Sequence, residues 1–193
     1  MTNPHLSRRH LVGALGALTT TAVFAACGTD TNSRYDTGFV AGDGVTTEID
    51  PADRGDAVDF TATAYDGTDI ALADWRGKPV VLNVWYASCA PCRKEAPDLK
   101  AIAGDYGEKI HMLGINVRDG AGTAKAFEEN FAIPYPSVPD LDAQIMYKLR
   151  GQVSPNAVPS TLVLDDEGRV AARISGIADP SILRAMIDRV LSE

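Results

Sequence analysis

The feature that most constrains the fold of this chain is the apolar run Pro79–Trp85, which is interrupted only by Asn83. A nearly continuous apolar run of this length is typical of a β-strand that is covered on both faces. A sheet that contains such a strand needs packing elements on both of its sides. We therefore interpret Pro79–Trp85 as the central strand of an α/β fold.

The segments around this strand show alternating strand and helix patterns. Upstream, Val58–Ala64 and Ile70–Leu72 flank a Tyr-Asp-Gly-Thr turn, which predicts a β-hairpin. Downstream, the patterns predict a helix, a strand, two further helices and a second hairpin, at Cys92–Tyr106, Ile110–Val117, Thr123–Phe131, Leu141–Leu149 and Thr161–Ile174. This order indicates a mixed sheet with helices on both faces and an added N-terminal hairpin.

The last helix has the clearest signature. Asp179 is placed to cap it, and Pro180 occupies the first turn, where a missing N–H costs no hydrogen bond. Apolar residues then recur at helical spacing, namely Ile182, Leu183, Met186, Ile187, Val190 and Leu191. This spacing predicts an amphipathic helix that packs on the sheet.

The charge of the chain argues against nucleic acid as a partner. The formal net charge of the 193 residues is −8, with 18 basic and 26 acidic residues. The only charged residues among the first 26 are Arg8 and Arg9, so removal of that segment leaves −10. An acidic surface repels phosphate backbones.

The N-terminus has the layout of an export signal. Arg8 and Arg9 precede an apolar, small-residue run from Leu11 to Ala26. The segment around the two arginines resembles a twin-arginine signal, and a general secretory signal is the alternative. Phe24–Cys27 resembles a lipobox, which predicts lipidation of Cys27. An ordinary cleavage site or an uncleaved anchor are the alternatives.

We expect the chain to divide into three segments, with boundaries after residues 27 and 56. Residues 1–27 form the predicted signal with its lipobox, and 28–56 are rich in Gly, Thr, Asp and Ser without apolar periodicity. Such a segment buries too little surface to offset its ordering entropy, so we predict a flexible tether. Tyr35 and Phe39 leave open a segment that docks on the domain. The folded domain is predicted at 57–193.

The chemistry of the chain is predicted at Cys89 and Cys92. Two cysteines separated by two residues, after a buried strand and at the start of a helix, lie where partial positive charge stabilises a thiolate. Pro91 suits the first helical turn. We expect Cys89 to be the exposed nucleophile and Cys92, one turn deeper, to resolve the mixed disulfide.

Other interpretations of the cysteine pair lack residues that they need. Haem attachment requires a histidine directly after the second cysteine, and Arg93 stands there. A structural zinc site needs about four ligands, whereas 27–193 contain a single histidine, His111. We interpret His111 as a strand-edge residue, with catalytic base as the alternative. Two alternatives stay open, namely a zinc site in which carboxylates complete the ligand set and a structural disulfide that does not turn over.

The stretch Asn83–Pro97 resembles the active site of thioredoxin-like, membrane-anchored reductases of the TlpA/ResA type. The resemblance extends through Asp74–Pro79, Ala157–Thr161 and Asp165–Arg169, and implies a thioredoxin-like three-layer sandwich. Two positions depart from the family pattern, because Ser88 replaces a common aromatic residue and Ala90 replaces a frequent glycine.

The resemblance assigns expected roles to further residues. Pro159 is expected to be cis and to face the dithiol, and Glu95 to act beside the cysteines as an acid that relays protons if burial raises its pKa. A solvated helix charge is the alternative for Glu95. Val158, Ala90 and Pro91 are expected to contact substrate. Trp85 is also a candidate contact, with core packing as its alternative.

The resemblance further implies an enzyme whose redox group is its own Cys89–Cys92 disulfide, without another cofactor or metal. Family members take electrons from a membrane thiol carrier and reduce disulfides of exported proteins, including apocytochromes awaiting haem. We therefore expect a monomeric reductase on the outer face of the cytoplasmic membrane. A disulfide-forming oxidase, a peroxiredoxin-type peroxidase and a lipid-anchored peptide-binding module are the alternatives.

Overall fold

The computed structural model describes residues 45–154 and 156–193. The strands in this part of the chain are β1 (Val45–Glu48), β2 (Thr61–Thr63), β3 (Asp69–Ala71), β4 (Val80–Trp85), β5 (His111–Asn116), β6 (Ser137–Pro139), β7 (Ser160–Leu164) and β8 (Val170–Ser175). The α-helices are α1 (Ala90–Tyr106), α2 (Ala121–Phe131), α3 (Gln144–Lys148) and α4 (Pro180–Leu191). Short 3₁₀ turns lie at Pro51–Asp53, Leu72–Trp75 and Gly107–Lys109.

Six strands form a mixed sheet in the order β1-β8-β7-β4-β5-β6. The apolar run forms β4, all six residues of which are buried. It pairs parallel with β5 on one side and antiparallel with β7 on the other. The predicted position of Pro79–Trp85 at the centre of the sheet is therefore confirmed. The predicted N-terminal hairpin is present as the separate antiparallel pair β2-β3.

Alternate residues of β4 enter two different apolar cores. Val80, Leu82 and Val84 pack with the β2-β3 hairpin and with α3. Val81, on the opposite face, packs with residues of α1 and α4. Helices on both faces of a mixed sheet confirm the expected α/β, thioredoxin-like architecture. The alternation also sends Asn83 towards the α1 face, because side chains two residues apart in a strand share a face.

The helix boundaries follow the predicted signals with one exception. The Asp179 side chain accepts hydrogen bonds from the backbone N–H groups of Ser181 and Ile182, as expected of a cap. In contrast, α3 spans only Gln144–Lys148, and the preceding turn is held by Asp140, whose carboxylate accepts from the N–H groups of Ile145 and Met146. Residues 141–143 therefore form a turn and not the first turn of the helix.

The structure corrects the C-terminal part of the predicted tether. Within 28–56, residues 45–48 form β1, which pairs antiparallel with the edge of β8. Arg54 then inserts a side chain that is 1% exposed and pairs with Asp165 and Glu193. The composition of this segment did not indicate the ordering. The segment is held by backbone hydrogen bonds to a sheet edge and by a distant ion pair, and neither of these requires apolar periodicity. The predicted signal at 1–27, including Cys27, and the tether residues 28–44 lie outside the described residues.

No helix within 45–154 and 156–193 combines the length and apolar character of a membrane span.

Candidate functional site

The two cysteines lie where the central strand passes into α1. The strand β4 ends at Trp85, and Cys89 is the N-cap residue of α1. Its sulfur accepts a hydrogen bond from the backbone N–H of Cys92 at 3.1 Å. Cys89 and Cys92 are joined by a disulfide, which is the expected redox group. An N–H directed at sulfur at a helix N-terminus favours the thiolate of Cys89 whenever the pair is reduced.

The expected exposure of Cys89 is wrong for this disulfide form. Cys89 is 3% exposed and Cys92 is 1% exposed. The two cysteines belong to one apolar cluster with Trp85, Ala87 and Phe127. Ser88 and Ala90, which flank Cys89 in sequence, are exposed instead.

Asp119, which the sequence analysis missed, anchors the cysteine loop, which connects the end of β4 at Trp85 to Cys89. Its carboxylate oxygen Oδ2 accepts from the backbone N–H of Ala87 at 2.6 Å and from Asn116 Nδ2 at 2.9 Å. Tyr65 donates its hydroxyl to the carbonyl oxygen of Asp119. The available signal was the position of Asn116 at the end of a buried strand and of Asp119 just after it, since carboxyl ends of neighbouring parallel strands meet at one edge.

Glu95 is buried directly beneath the cysteine turn of α1. Its side chain is 1% exposed and forms no ion pair with any residue between 45 and 193 that the structure describes. Asn83 Nδ2 donates to Oε1 at 2.8 Å, and the backbone N–H of Ala178 donates to Oε2 at 3.0 Å. Burial raises the pKa of Glu95 to about 7, although both hydrogen bonds oppose the rise.

Asn83 is a second residue that the sequence analysis passed over. It is 3% exposed in the middle of β4, where it donates to both Glu95 and Thr161. A lone polar residue within an otherwise apolar strand was its signal, because a buried amide needs hydrogen-bond partners. Asn83 and Cys92 also line one small cavity of about 10 Å³ between β4 and α1.

The Val158–Pro159 peptide bond is cis, as the resemblance implied. Pro159 is buried, and its carbonyl oxygen accepts from the N–H of Gly176 at 2.9 Å. Val158 is half-buried and packs against the apolar cluster that contains the two cysteines. The structure therefore brings Val158 and the disulfide to the same end of the sheet.

Trp85, Ala90 and Pro91 occupy different environments. Trp85 is 4% exposed, and its ring packs on Phe127 with a centroid separation of 4.3 Å. It also covers Gly114, where any added Cβ would collide with the Trp85 ring and Ser137. Ala90 is exposed and Pro91 is partly exposed in the first turn of α1. Ala90 and Pro91 are thus accessible to a partner, and Trp85 is mainly a packing residue in this form.

The arrangement can exchange two electrons between its own disulfide and an external thiol pair. It combines a helix N-terminus at the sulfurs with a buried carboxyl group able to hold a proton near neutral pH. Among the described residues, no group of three or more His, Cys, Asp or Glu side chains is arranged to bind a metal ion. His111 instead stacks on Trp75 at the start of β5, with a centroid separation of 4.7 Å.

Comparison with known proteins agrees with this chemistry. Residues 54–173 match the model of the AhpC/TSA family. Among curated relatives, the thiol-disulfide oxidoreductase ResA of Geobacillus kaustophilus (strain HTA426) is 32% identical over 121 residues, which cover 62% of this chain and 67% of the relative. ResA of Bacillus subtilis (strain 168) is 30% identical over 132 residues, covering 66% and 70%.

Solved structures show the same similarity. A secreted thiol-disulfide isomerase from Corynebacterium glutamicum superposes with a TM-score of 0.70 at 31% identity, covering 80% of this chain and 97% of the other. A DsbF homologue from Corynebacterium diphtheriae gives a TM-score of 0.67 at 33% identity, covering 75% and 92%.

Proposed function

We propose that this chain reduces disulfides of exported proteins outside the cytoplasm. The premise is that it belongs to the AhpC/TSA family and is a thioredoxin-fold thiol–disulfide oxidoreductase. The observation that carries the proposal is the disulfide at the N-terminus of α1, above a buried Glu95 that has no cationic partner among the described residues. Apocytochromes awaiting haem are the substrates that the TlpA/ResA resemblance suggests.

In the proposed cycle, the reduced Cys89 thiolate attacks one sulfur of a partner disulfide. A bond forms between Cys89 and that sulfur, and the second partner sulfur leaves as a thiolate. The Cys92 thiolate then attacks Cys89, which forms the intramolecular disulfide and releases the first partner sulfur. The partner gains two electrons and two protons. A membrane thiol carrier, which is itself oxidised to a disulfide, returns two electrons to the pair.

Glu95 is the proposed proton carrier of this cycle. Its pKa of about 7 lets the carboxyl group hold or release a proton near neutral pH. Cys92 lies three residues earlier in the same helix, and residues three apart share a helix face. A proton that leaves the Cys92 thiol therefore has a nearby acceptor inside an apolar site.

The partner polypeptide is proposed to lie along the surface formed by Ala90, Pro91 and Val158. Ala90 and Pro91 are at least partly exposed beside Cys89, and Val158 packs near the disulfide from the opposite loop. Trp85 supports this surface from beneath. Because Pro159 places no N–H at this position, the neighbouring backbone of Val158 is the available hydrogen-bonding group.

The proposed location is the outer face of the cytoplasmic membrane, with Cys27 carrying a lipid. The support is the sequence pattern of 1–27 and the similarity to the secreted thiol-disulfide isomerase of Corynebacterium glutamicum. Growth with an alkyne-tagged fatty acid should label the wild type and leave Cys27→Ser unlabelled. Equal labelling of both would overturn lipidation at Cys27.

The direction of electron flow is tested by the reduction potential of the full chain in a glutathione or dithiothreitol buffer. A reductase should have a potential near that of thioredoxin, about −270 mV, whereas about −120 mV would indicate an oxidase. Cys92→Ser should trap a mixed disulfide at Cys89 with its protein partner. Cys89→Ser is the matched control and should trap none.

Turnover assays separate the other functional classes. Cys89→Ser should abolish insulin reduction, whereas a peptide-binding module would be unaffected by loss of the thiol. Consumption of hydrogen peroxide with a dithiol donor, at a rate comparable with disulfide reduction, would favour a peroxidase and contradict the proposal.

A further inference from the structure

Two groups of arginines differ in how their charges are satisfied. Arg54, Arg169, Arg184 and Arg189 all form ion pairs with carboxylates. In contrast, Arg93, Arg118 and Arg150 are exposed, each stacks on an aromatic ring, and none has an ion-pair partner in the described part of the chain. Arg76 and Arg173 also lack an ion pair, but their guanidinium groups donate hydrogen bonds to the backbone carbonyls of Val58 and Gln152.

Arg93 lies one helical turn after the N-cap cysteine. Its backbone N–H donates to the carbonyl oxygen of Cys89, and its guanidinium carbon lies 5.1 Å from the centre of the Phe131 ring. The side chain donates a single long hydrogen bond of 3.4 Å to the carbonyl of Ala87. A guanidinium has five N–H donors, so most of the Arg93 donors remain available to a ligand.

Arg118 approaches the same loop from the carboxyl end of β5. Its guanidinium carbon lies 4.1 Å from the centre of the Tyr86 ring, and the carbonyl of Tyr86 accepts the N–H of Cys89 at 3.2 Å. The Arg118 side chain forms no hydrogen bond with residues that the structure describes. Stacking fixes the position of a guanidinium and leaves its edge free for a carboxylate.

A surface groove of about 390 Å³ starts at the cysteine loop and continues along α2. It is lined by Ala87, Arg93, Thr123, Ala126, Phe127 and Asn130. Arg93 is the one charged residue of this lining. The nearby carboxylate of Asp119 is already engaged by Ala87 and Asn116. The groove can therefore hold an extended segment with an acidic side chain opposite Arg93.

We propose that Arg93 and Arg118 bind carboxylates of the partner protein and so select disulfides that are flanked by acidic residues. This inference rests on the proposed function and names its substrate class. The rest of the molecule is acidic and repels such a partner, so the two arginines supply local attraction at the reacting sulfurs. Bidentate guanidinium–carboxylate pairs also fix the orientation of the partner.

The test uses three synthetic peptides with the same cysteine pair and spacing, flanked by Asp and Glu, by Asn and Gln, or by Lys. Exchange with the full chain is measured in both directions, from oxidised peptide with reduced protein and from reduced peptide with oxidised protein. At low salt, kcat/KM for the acidic peptide should exceed that for the neutral peptide about tenfold. The ratio should fall at 0.15 M salt, where the Debye length is about 8 Å.

Charge variants locate the preference. The double variant R93Q/R118Q should reduce the acidic-to-neutral ratio to about one, and R93E/R118E should prefer the lysine-flanked peptide. Arg150→Gln is the matched control, because Arg150 also stacks on a ring but lines a different groove with Asp56 and Val170. Arg150→Gln should keep the wild-type ratio.

An equal rate for acidic and neutral peptides in the wild type would overturn this inference, as would an equal loss of preference in Arg150→Gln. The same data judge the proposed function separately. If the acidic preference is present but exchange is faster from reduced peptide to oxidised protein, the substrate class stands and the reductase assignment fails.

Discussion

Two carboxylates of this protein have almost no solvent-accessible surface and have opposite surroundings. Glu95, beneath the disulfide, is 1% exposed and receives hydrogen bonds only from the neutral donors Asn83 and Ala178. Asp165, after β7, is 2% exposed and pairs with both Arg54 and Arg169. Burial raises the pKa of Glu95 to about 7. At Asp165, burial is outweighed by hydrogen bonds from Arg169 and Arg54, so its pKa is lowered.

The difference shows which buried acid is structural and which can do chemistry. Asp165 stays ionised throughout the neutral range and joins the β7-β8 turn to Arg54, which also holds Glu193. Glu95 changes protonation near neutral pH at the redox centre. The cations beside Asp165 favour its ionised form, whereas Glu95, without one, responds mainly to its burial.

The largest expected effect is at the buried ion pairs of Arg54 with Asp165 and Glu193. Arg54→Met leaves Asp165 with Arg169 alone and removes the buried cation beside Glu193, and should lower the free energy of unfolding by about 3 kcal/mol. The pKa of Asp165 is lower in the folded state than in the unfolded state, so the pairing stabilises the fold at pH values above the unfolded pKa. This stabilisation is lost as the pH falls through the folded pKa. The deficit, measured by urea unfolding, should therefore shrink towards acid pH. A deficit below 1 kcal/mol at about pH 7 would contradict the structural role.

The second effect has the opposite pH dependence. The folded pKa of Glu95 lies above its usual 4.5, so the folded state keeps a proton that the unfolded state releases. The stability of the wild type relative to Glu95→Gln should therefore fall by about 3 kcal/mol as the pH rises from about 4.5 to about 7. Urea unfolding of both oxidised proteins across this range measures the difference. A constant difference would show that folding does not raise the pKa of Glu95.

A smaller effect is expected at Asn83, which donates hydrogen bonds to Glu95 and to Thr161 of β7. Asn83→Ala removes the hydrogen bond at Oε1, which favours the ionised form, and should raise the pKa of Glu95 by about one unit. A carbon-13 carboxyl titration of the oxidised protein reports it directly. Thr161→Val removes only the other partner of Asn83 and should leave that pKa unchanged. A shift in Thr161→Val as large as that in Asn83→Ala would contradict a direct effect.

The smallest effect is expected at an exposed ion pair. Asp105 is 61% exposed and lies 2.6 Å from Arg184. Asp105→Asn should change the free energy of unfolding by less than about 1 kcal/mol, since water and salt already screen such a pair. Urea unfolding at low and high salt checks this value. A loss as large as that of Arg54→Met would break the distinction between buried and exposed pairing.

Much of the fold was predictable because its signals are local. The apolar run at β4, the hairpin turns and the Asp179 cap each depend on neighbouring residues, and all three are present. The cysteine pair was predictable for the same reason. The order of 45–56 was not, since it depends on β8 and on ion pairs to residues 165 and 193, which are distant in sequence.

The candidate site divides in the same way. The resemblance located Glu95 and the cis peptide before Pro159, but the hydrogen bonds from Asn83 to Glu95 and from Ala87 to Asp119 join residues 12 and 32 positions apart. The apolar cluster that contains Cys89 likewise includes Phe127 of α2, which is distant in sequence. Pairwise geometry across such separations is not encoded in a local pattern.

The sequence by itself determined the central strand, the α/β class and the cysteine pair at a helix start, because hydrophobic periodicity and capping act over a few residues. Only the tertiary structure decided that Glu95 is buried without a cation while Asp165 is buried with two. The energy of a buried charge depends on which distant groups folding brings within hydrogen-bonding distance, and no stretch of adjacent residues specifies that set.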